Sequence, residues 1–152
     1  MSVAGLVESV HHTAVCAQDF EATHSFFVNF LGFEVEGKAL DRSEPELTAV
    51  VGLPDVKIRW ALLRLGTHRV ELFRYYTPTG KATPPAQCDT GFTHMAFAVS
   101  NVDEVHARAI ASGYLPISSP QIMRGGVSRV FYLRGPENII VEFMEFQEKG
   151  SV

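Results

Sequence analysis

The period of the apolar positions changes several times along this chain, and each change marks an element. Val10 to Ala17 (VHHTAVCA) is rich in Val, Thr and Ala and reads as a strand. Asp19 suits a helix N-cap, and Phe20, Thr23, Phe26, Phe27, Phe30 and Leu31 follow at helical spacing. Gly32 stops that helix, as glycine does just past a last turn, and Phe33 to Gly37 restarts as a strand. Residues 38–55 hold Pro45, Gly52 and Pro54 and read as a long loop. Val56 to Leu65 and Arg69 to Tyr76 are strands around a Gly66-Thr67 turn. The order is βαβββ, over a module spanning residues 8–77.

Residues 78–91 carry Pro78, Gly80, Pro84, Pro85 and Gly91 and form a linker by composition. The order then repeats in a second module, residues 92–147. Phe92 to Val99 is a strand, Asn101 caps a helix with Glu104 placed to complete a capping box, and Gly113 ends it. Tyr114 to Ser118, Ser128 to Leu133 and Ile139 to Phe146 are strands, with Gly135-Pro136 a turn. When His12 is aligned with His94, Asp19 meets Asn101 and His24 meets His106. Val70-Glu71-Leu72-Phe73 then corresponds to Val141-Glu142-Phe143-Met144. An internal repeat of this kind fixes the architecture before any other argument does. The fold class is α+β: two tandem βαβββ modules forming a cup-shaped mixed sheet within a single domain, residues 1–152.

Each module therefore begins on a strand carrying His and ends on a strand carrying Glu. Strand residues alternate between faces, so His12 shares a face with Ala14 and Cys16, and His94 with Ala96 and Ala98. The small residues leave room for a cavity in front of each His, while the bulkier opposite faces pack on the helices. Glu71 shares a face with Phe73 and Tyr75, and Glu142 with Met144 and Phe146. A carboxylate among apolar neighbours is costly to bury unless it is paired or bound to a metal. Satisfied core polar groups are the plain alternative; duplication explains shared apolar positions, but not a polar His and a polar Glu recurring in apolar strands. Two imidazoles and two carboxylates without thiolate suit one divalent ion, Zn, Ni, Co, Mn or Fe, with coordination positions left open.

Composition narrows the class. The 152 residues are 46% hydrophobic and 20% charged, with mean hydropathy +0.08. That is enough apolar matter for a core, and disorder is not indicated. The net charge of −4 argues against nucleic acid as a partner. No run approaches the ~20 apolar residues that span a bilayer, and the start has no leader pattern, so the expectation is a cytoplasmic protein with no membrane partner. Cys16 and Cys88 form no CxxC or disulfide framework.

The chain resembles the vicinal oxygen chelate superfamily, which includes glyoxalase I, methylmalonyl-CoA epimerase, fosfomycin-modifying enzymes, extradiol dioxygenases and bleomycin-binding proteins. The resemblance covers about residues 8–147. It is carried by HTAVCAQDFEATHSFFVNFLGFEV from His12, RVELFRY around Glu71, HMAFAVSNVDEV from His94 and RGPENIIVEFMEF around Glu142. The family's DPxGN turn is here Gly135-Pro136-Glu137-Asn138, without the leading Asp. The resemblance implies metal ligands at His12, Glu71, His94 and Glu142, a small-molecule substrate with adjacent oxygens, and an enediolate stabilised during proton transfer. Glu71 or Glu142 would then act as the base. It implies an isomerase, epimerase or lyase, with an extradiol-type ring-cleaving dioxygenase and a non-catalytic binding or resistance protein as alternatives. It also implies a homodimer, a state that would cover open strand edges.

The remaining candidates are single residues. Trp60, Phe73, Arg124 and Glu46 are assigned to a substrate pocket, Glu46 with Glu44 in the loop that would cover the cup. Arg59, Arg64 and Arg129 are further candidate anion partners. His11 is expected to point away from His12, His24 and His106 to serve as surface or packing residues, and His68 to be solvated. Gly125-Gly126 resembles a mobile segment near the mouth.

Overall fold

The computed structural model of the protein describes residues 2–81 and 86–146, apart from the side chain of Arg124. The chain divides into two compact units, residues 1–80 and 81–152. Linker residues 82–85 and the expected end of the second module at residue 147 lie outside the described residues.

In the first unit, β1 (Thr13–Cys16) leads to α1 (Phe20–Ser25), whose Asp19 cap accepts the Ala22 N–H at 3.0 Å. The helix continues as a single wide turn over Phe26–Phe30, where the Leu31 N–H reaches the Phe26 carbonyl five residues back. That turn sends both Phe26 and Phe27 fully into the core. Phe26 stacks on Phe30, and Phe27 meets the Phe33 ring edge-on. Gly32 then takes φ 82°, a left-handed conformation that suits glycine, and releases the chain into β2 (Glu34–Arg42). β3 (Lys57–Leu65) and β4 (His68–Thr77) complete a mixed sheet in the order β1-β4-β3-β2, with β1 parallel to β4. Val15, Ala17, Ala61, Leu63, Val70 and Leu72 are buried on one face, together with Phe20 from α1.

The loop expected over residues 38–55 is corrected by the structure. β2 runs on to Arg42, and Pro45–Val51 forms a helix, α2, that ends at Gly52 in the left-handed region. Pro45 occupies the start of α2, where its missing N–H is no loss. β2 carries two register irregularities against β3, between Val35 and Gly37 and between Ala39 and Arg42. These break the simple alternation that would have announced a strand.

The second unit repeats the plan with β5 (Met95–Ala98), α3 (Val102–Ala111), β6 (Leu115–Pro116), β8 (Ser128–Arg134) and β9 (Ile140–Phe146). An additional short strand, β7 (Gln121–Met123), pairs with β8 and was not expected. The sheet order is β5-β9-β8-β6, with β5 parallel to β9. Asn101 caps α3 by accepting the Glu104 N–H at 2.9 Å, while the Glu104 carboxylate pairs with Arg108. Val102 and Ala109 of α3 are buried, as are Phe131, Leu133, Val141 and Phe143 of the sheet. The α+β class and its repeated strand–helix–strand order stand. No helix among the described residues is long and apolar enough to cross a membrane.

The β8–β9 turn carries local strain. Glu137 has φ 52° and Asn138 φ 65°, both left-handed, and one Glu137 carboxylate oxygen is buried without a hydrogen-bond partner. Asn tolerates that region, whereas a residue such as Glu is disfavoured there by ~1–2 kcal/mol. Replacing Glu137 with Gly should therefore stabilise the fold by about 1 kcal/mol, read as a rise in the urea midpoint at unchanged m. A fall in the midpoint would show that the strain is compensated.

Candidate functional site

The buried face of each sheet packs on its helix, and the other face carries a His–Glu pair. In the first unit β1 and β4 run parallel, with Ala14 opposite Glu71 and Cys16 opposite Phe73. His12, just before β1, reaches the same face: its Nε2 is 3.0 Å from Glu71 Oε2. In the second unit Ala96 is opposite Glu142. His94, two residues earlier, places Nε2 3.1 Å from Glu142 Oε2. The same parallel register therefore generates the same pair twice.

Both pairs are accessible but sheltered. The His12 and His94 side chains are 35% and 27% exposed, and those of Glu71 and Glu142 are 19% and 14% exposed. In the first unit Trp60 donates its indole N–H to Glu71 Oε1 at 2.9 Å. The ring fits because residue 37 is glycine: a Cβ there would lie 3.2 Å from the indole. Phe73, opposite Trp60 in register, and Tyr75 continue the same face. Burial, then the neighbouring Cys16 and Glu71, push the Tyr75 phenol above its ordinary pKa. In the second unit the Tyr132 ring lies 5.0 Å from the His94 ring and directly opposite Glu142 in the ladder. Burial, then the Glu142 charge, push that phenol up too.

Glu142 also belongs to a pocket of about 330 Å³ in the second unit. Its walls are largely apolar, with Ile117, Met123, Val130, Phe131 and Met144 beside Tyr132. No Lys or Arg stands among the described residues that line it.

The donor chemistry fits a divalent ion. Two donors each ~2.1 Å from one ion and at right angles are about 3.0 Å apart, which is the separation in each pair. Nitrogen and oxygen donors without thiolate match the ligand preferences of six-coordinate first-row ions. Within either unit, among the described residues, no group of three or more His, Cys, Asp or Glu comes together as a metal-binding cluster. Each unit holds one imidazole and one carboxylate in such a pair.

Trp60 and Phe73, read from sequence as pocket residues, lie on the pair-bearing face. Glu46 lies exposed in the first turn of α2, and Glu44 caps that helix and pairs with Arg42. The Arg124 side chain lies outside the described residues. Arg59 pairs with Glu21 at 2.7 Å and covers the Phe20 ring. Arg64 pairs with Glu34 and Glu36, and Arg129 with Asp103. These three are engaged on the protein itself. His24 stacks on Phe20 and His106 meets Phe131 edge-on, both packing roles.

His11 departs from expectation. Its Nδ1 is 2.8 Å from His12 Nδ1. Strict alternation had pointed it away, but β1 starts only at Thr13, so the pleat does not constrain residue 11. Thr93 makes the corresponding contact in the second unit, with Oγ1 2.9 Å from His94 Nδ1. Thr93 and Tyr132 were missed from sequence; the signal available for Thr93 was its position immediately before the repeated His.

The profile of the Glyoxalase/Bleomycin resistance protein/Dioxygenase superfamily matches residues 11–145. The uncharacterized protein YwkD of Bacillus subtilis is 30% identical over 111 residues, covering 69% of this chain and 75% of that protein. Among solved structures, a glyoxalase family protein from Bacillus cereus superposes with a TM-score of 0.81 at 24% identity, covering 93% of this chain and 96% of that one. A lactoylglutathione lyase from Agrobacterium tumefaciens gives a TM-score of 0.59 at 21% identity, covering 91% and 94%.

Proposed function

Because the chain belongs to the glyoxalase/bleomycin resistance protein/dioxygenase superfamily, we propose that it is a divalent-metal-dependent isomerase, epimerase or lyase that moves a proton beside a substrate carbonyl. The observation that carries this reading is the His–Glu pair made twice in one register. In this reading His12, Glu71, His94 and Glu142 together hold one ion. A divalent ion there supplies positive charge to two adjacent substrate oxygens, lowering the barrier to loss of the neighbouring proton.

The protein's own groups divide the remaining work. Glu71 is tied by two contacts, His12 on one oxygen and the Trp60 N–H on the other, so it serves as the fixed ligand. Glu142 forms part of a pocket wall and is the carboxylate that accepts and returns the substrate proton. Burial keeps the Tyr132 phenol protonated, so it can donate to a substrate oxygen at that wall. The apolar lining, with no Lys or Arg among its described residues, favours a substrate whose bound portion is uncharged. Open strand edges, such as that of β2, and the habit of the superfamily support a homodimer.

Solvent deuterium incorporation tests the reaction. Purified protein carrying about one equivalent of metal should wash deuterium into at least one member of a panel of 2-oxo hemithioacetals, 2-methyl-3-oxo thioesters and keto-cyclitols. It should do so without consuming oxygen. Oxygen uptake with catechols and no exchange would replace this reading with a ring-cleaving dioxygenase. Ligand binding without metal would replace it with a sequestering protein.

A further inference from the structure

Each His of the two pairs is held by a second contact, and in both cases it comes from the residue immediately before it. His11 Nδ1 meets His12 Nδ1 at 2.8 Å, and Thr93 Oγ1 meets His94 Nδ1 at 2.9 Å. Positions 11 and 93 are equivalent in the internal repeat, yet they carry different side chains. We propose that His11 and Thr93 are positioning residues that hold the Nδ1 edge of each imidazole, so that Nε2 stays aimed at its Glu and available to a metal ion. The inference rests on the metal reading above for its consequence, but its geometry is independent of that reading.

The chemistry selects these two residue types. With the neutral ring's Nε2 facing a carboxylate at 3.0 or 3.1 Å, the ring proton sits on Nε2, and Nδ1 must accept a hydrogen bond. A ring that coordinates through Nε2 has its proton on Nδ1, which must then donate. The partner at Nδ1 therefore has to work in both directions. A Thr hydroxyl donates and accepts, and a neutral His presents either an N–H or a lone pair through its two tautomers. A Lys would only donate and an ionised Asp only accept. Two unlike residues at equivalent positions share this one property, which simple filling of space would not require.

Both contacts are solvent-exposed, and water competes for exposed groups. The effect should therefore fall near the lower end of the ~10–100-fold attributed to outer-shell partners of metal ligands. Thr93→Val keeps the shape and removes the hydroxyl; it should weaken zinc binding about tenfold by calorimetry. Thr93→Ser should bind as wild type does. In the first unit His11→Ala should show the same loss, and His11→Thr, which copies the second unit, should restore it.

Nitrogen-15 spectra of the imidazoles supply a readout that a purely structural role would not move. In metal-free protein at alkaline pH, His94 should show one tautomer with the proton on Nε2. Thr93→Val should free the ring and give an averaged signal, and Thr93→Ser should not. A wild type with the single tautomer but no zinc binding would sink the metal reading and leave the positioning role standing. Wild-type spectra and wild-type affinity in both Thr93→Val and His11→Ala would overturn the positioning role.

Discussion

If the proposed four-ligand site is right, replacing His94 with Ala should abolish metal binding, and replacing His12 with Ala should do the same although it lies in the other unit. The wild-type protein should carry about one divalent ion per chain, and either variant close to none after dialysis. Loss of an outer-shell partner weakens metal binding ~10–100-fold, and loss of a ligand itself should exceed that. The change also strands a carboxylate. Glu142 is only 14% exposed and faces His94 Nε2 at 3.1 Å, so in His94→Ala it keeps its desolvation without its partner. The two-variant design decides between one shared ion and two separate ones. If each unit bound an ion through its own pair, His94→Ala would leave half the metal, and the four-ligand assignment would fall. His106→Ala is the matched control. His106 lies on α3 and packs edge-on against Phe131, so its removal should lower stability and leave metal content unchanged.

The repeat was legible because β-strand alternation and helix capping are local. Asp19 and Asn101 cap their helices as read, through bonds to residues three positions on. The His and Glu positions could be paired from sequence because the two halves carry them at matching places. What sequence could not give was contact distance: that His12 faces Glu71, and His94 faces Glu142, depends on the parallel β1–β4 and β5–β9 registers. The loop expected at 38–55 failed for a related reason. Leu40 of β2 and Val50 of α2 are both exposed, so apolar residues there do not report burial, and pattern reading loses its signal. β7 escaped because three exposed residues between Pro120 and the Gly125-Gly126 pair present no period. Arg59, Arg64 and Arg129 looked like anion partners only because their acidic neighbours, Glu21, Glu34 and Asp103, are remote in sequence.

Glu142→Gln should abolish proton exchange while keeping the fold. The substitution preserves volume, and the amide can still meet His94, but an amide has no useful basicity. General acid–base catalysis contributes typically ~10²–10⁴-fold, so deuterium wash-in should fall by about that factor. Glu71→Gln should act differently. Its carboxylate already takes the Trp60 N–H on one oxygen, an interaction that a Gln carbonyl retains, so the main consequence should be weaker metal binding. Comparison at saturating metal separates the two roles. Glu71→Gln should then recover most of the exchange rate, whereas Glu142→Gln should stay slow however much metal is added. The Tyr132 phenol, held protonated beside Glu142 by burial and by that carboxylate's charge, cannot replace it as the base near neutral pH. If instead metal rescues Glu142→Gln and not Glu71→Gln, the base belongs to the first unit, and the assignment of proton transfer to the pocket wall is wrong.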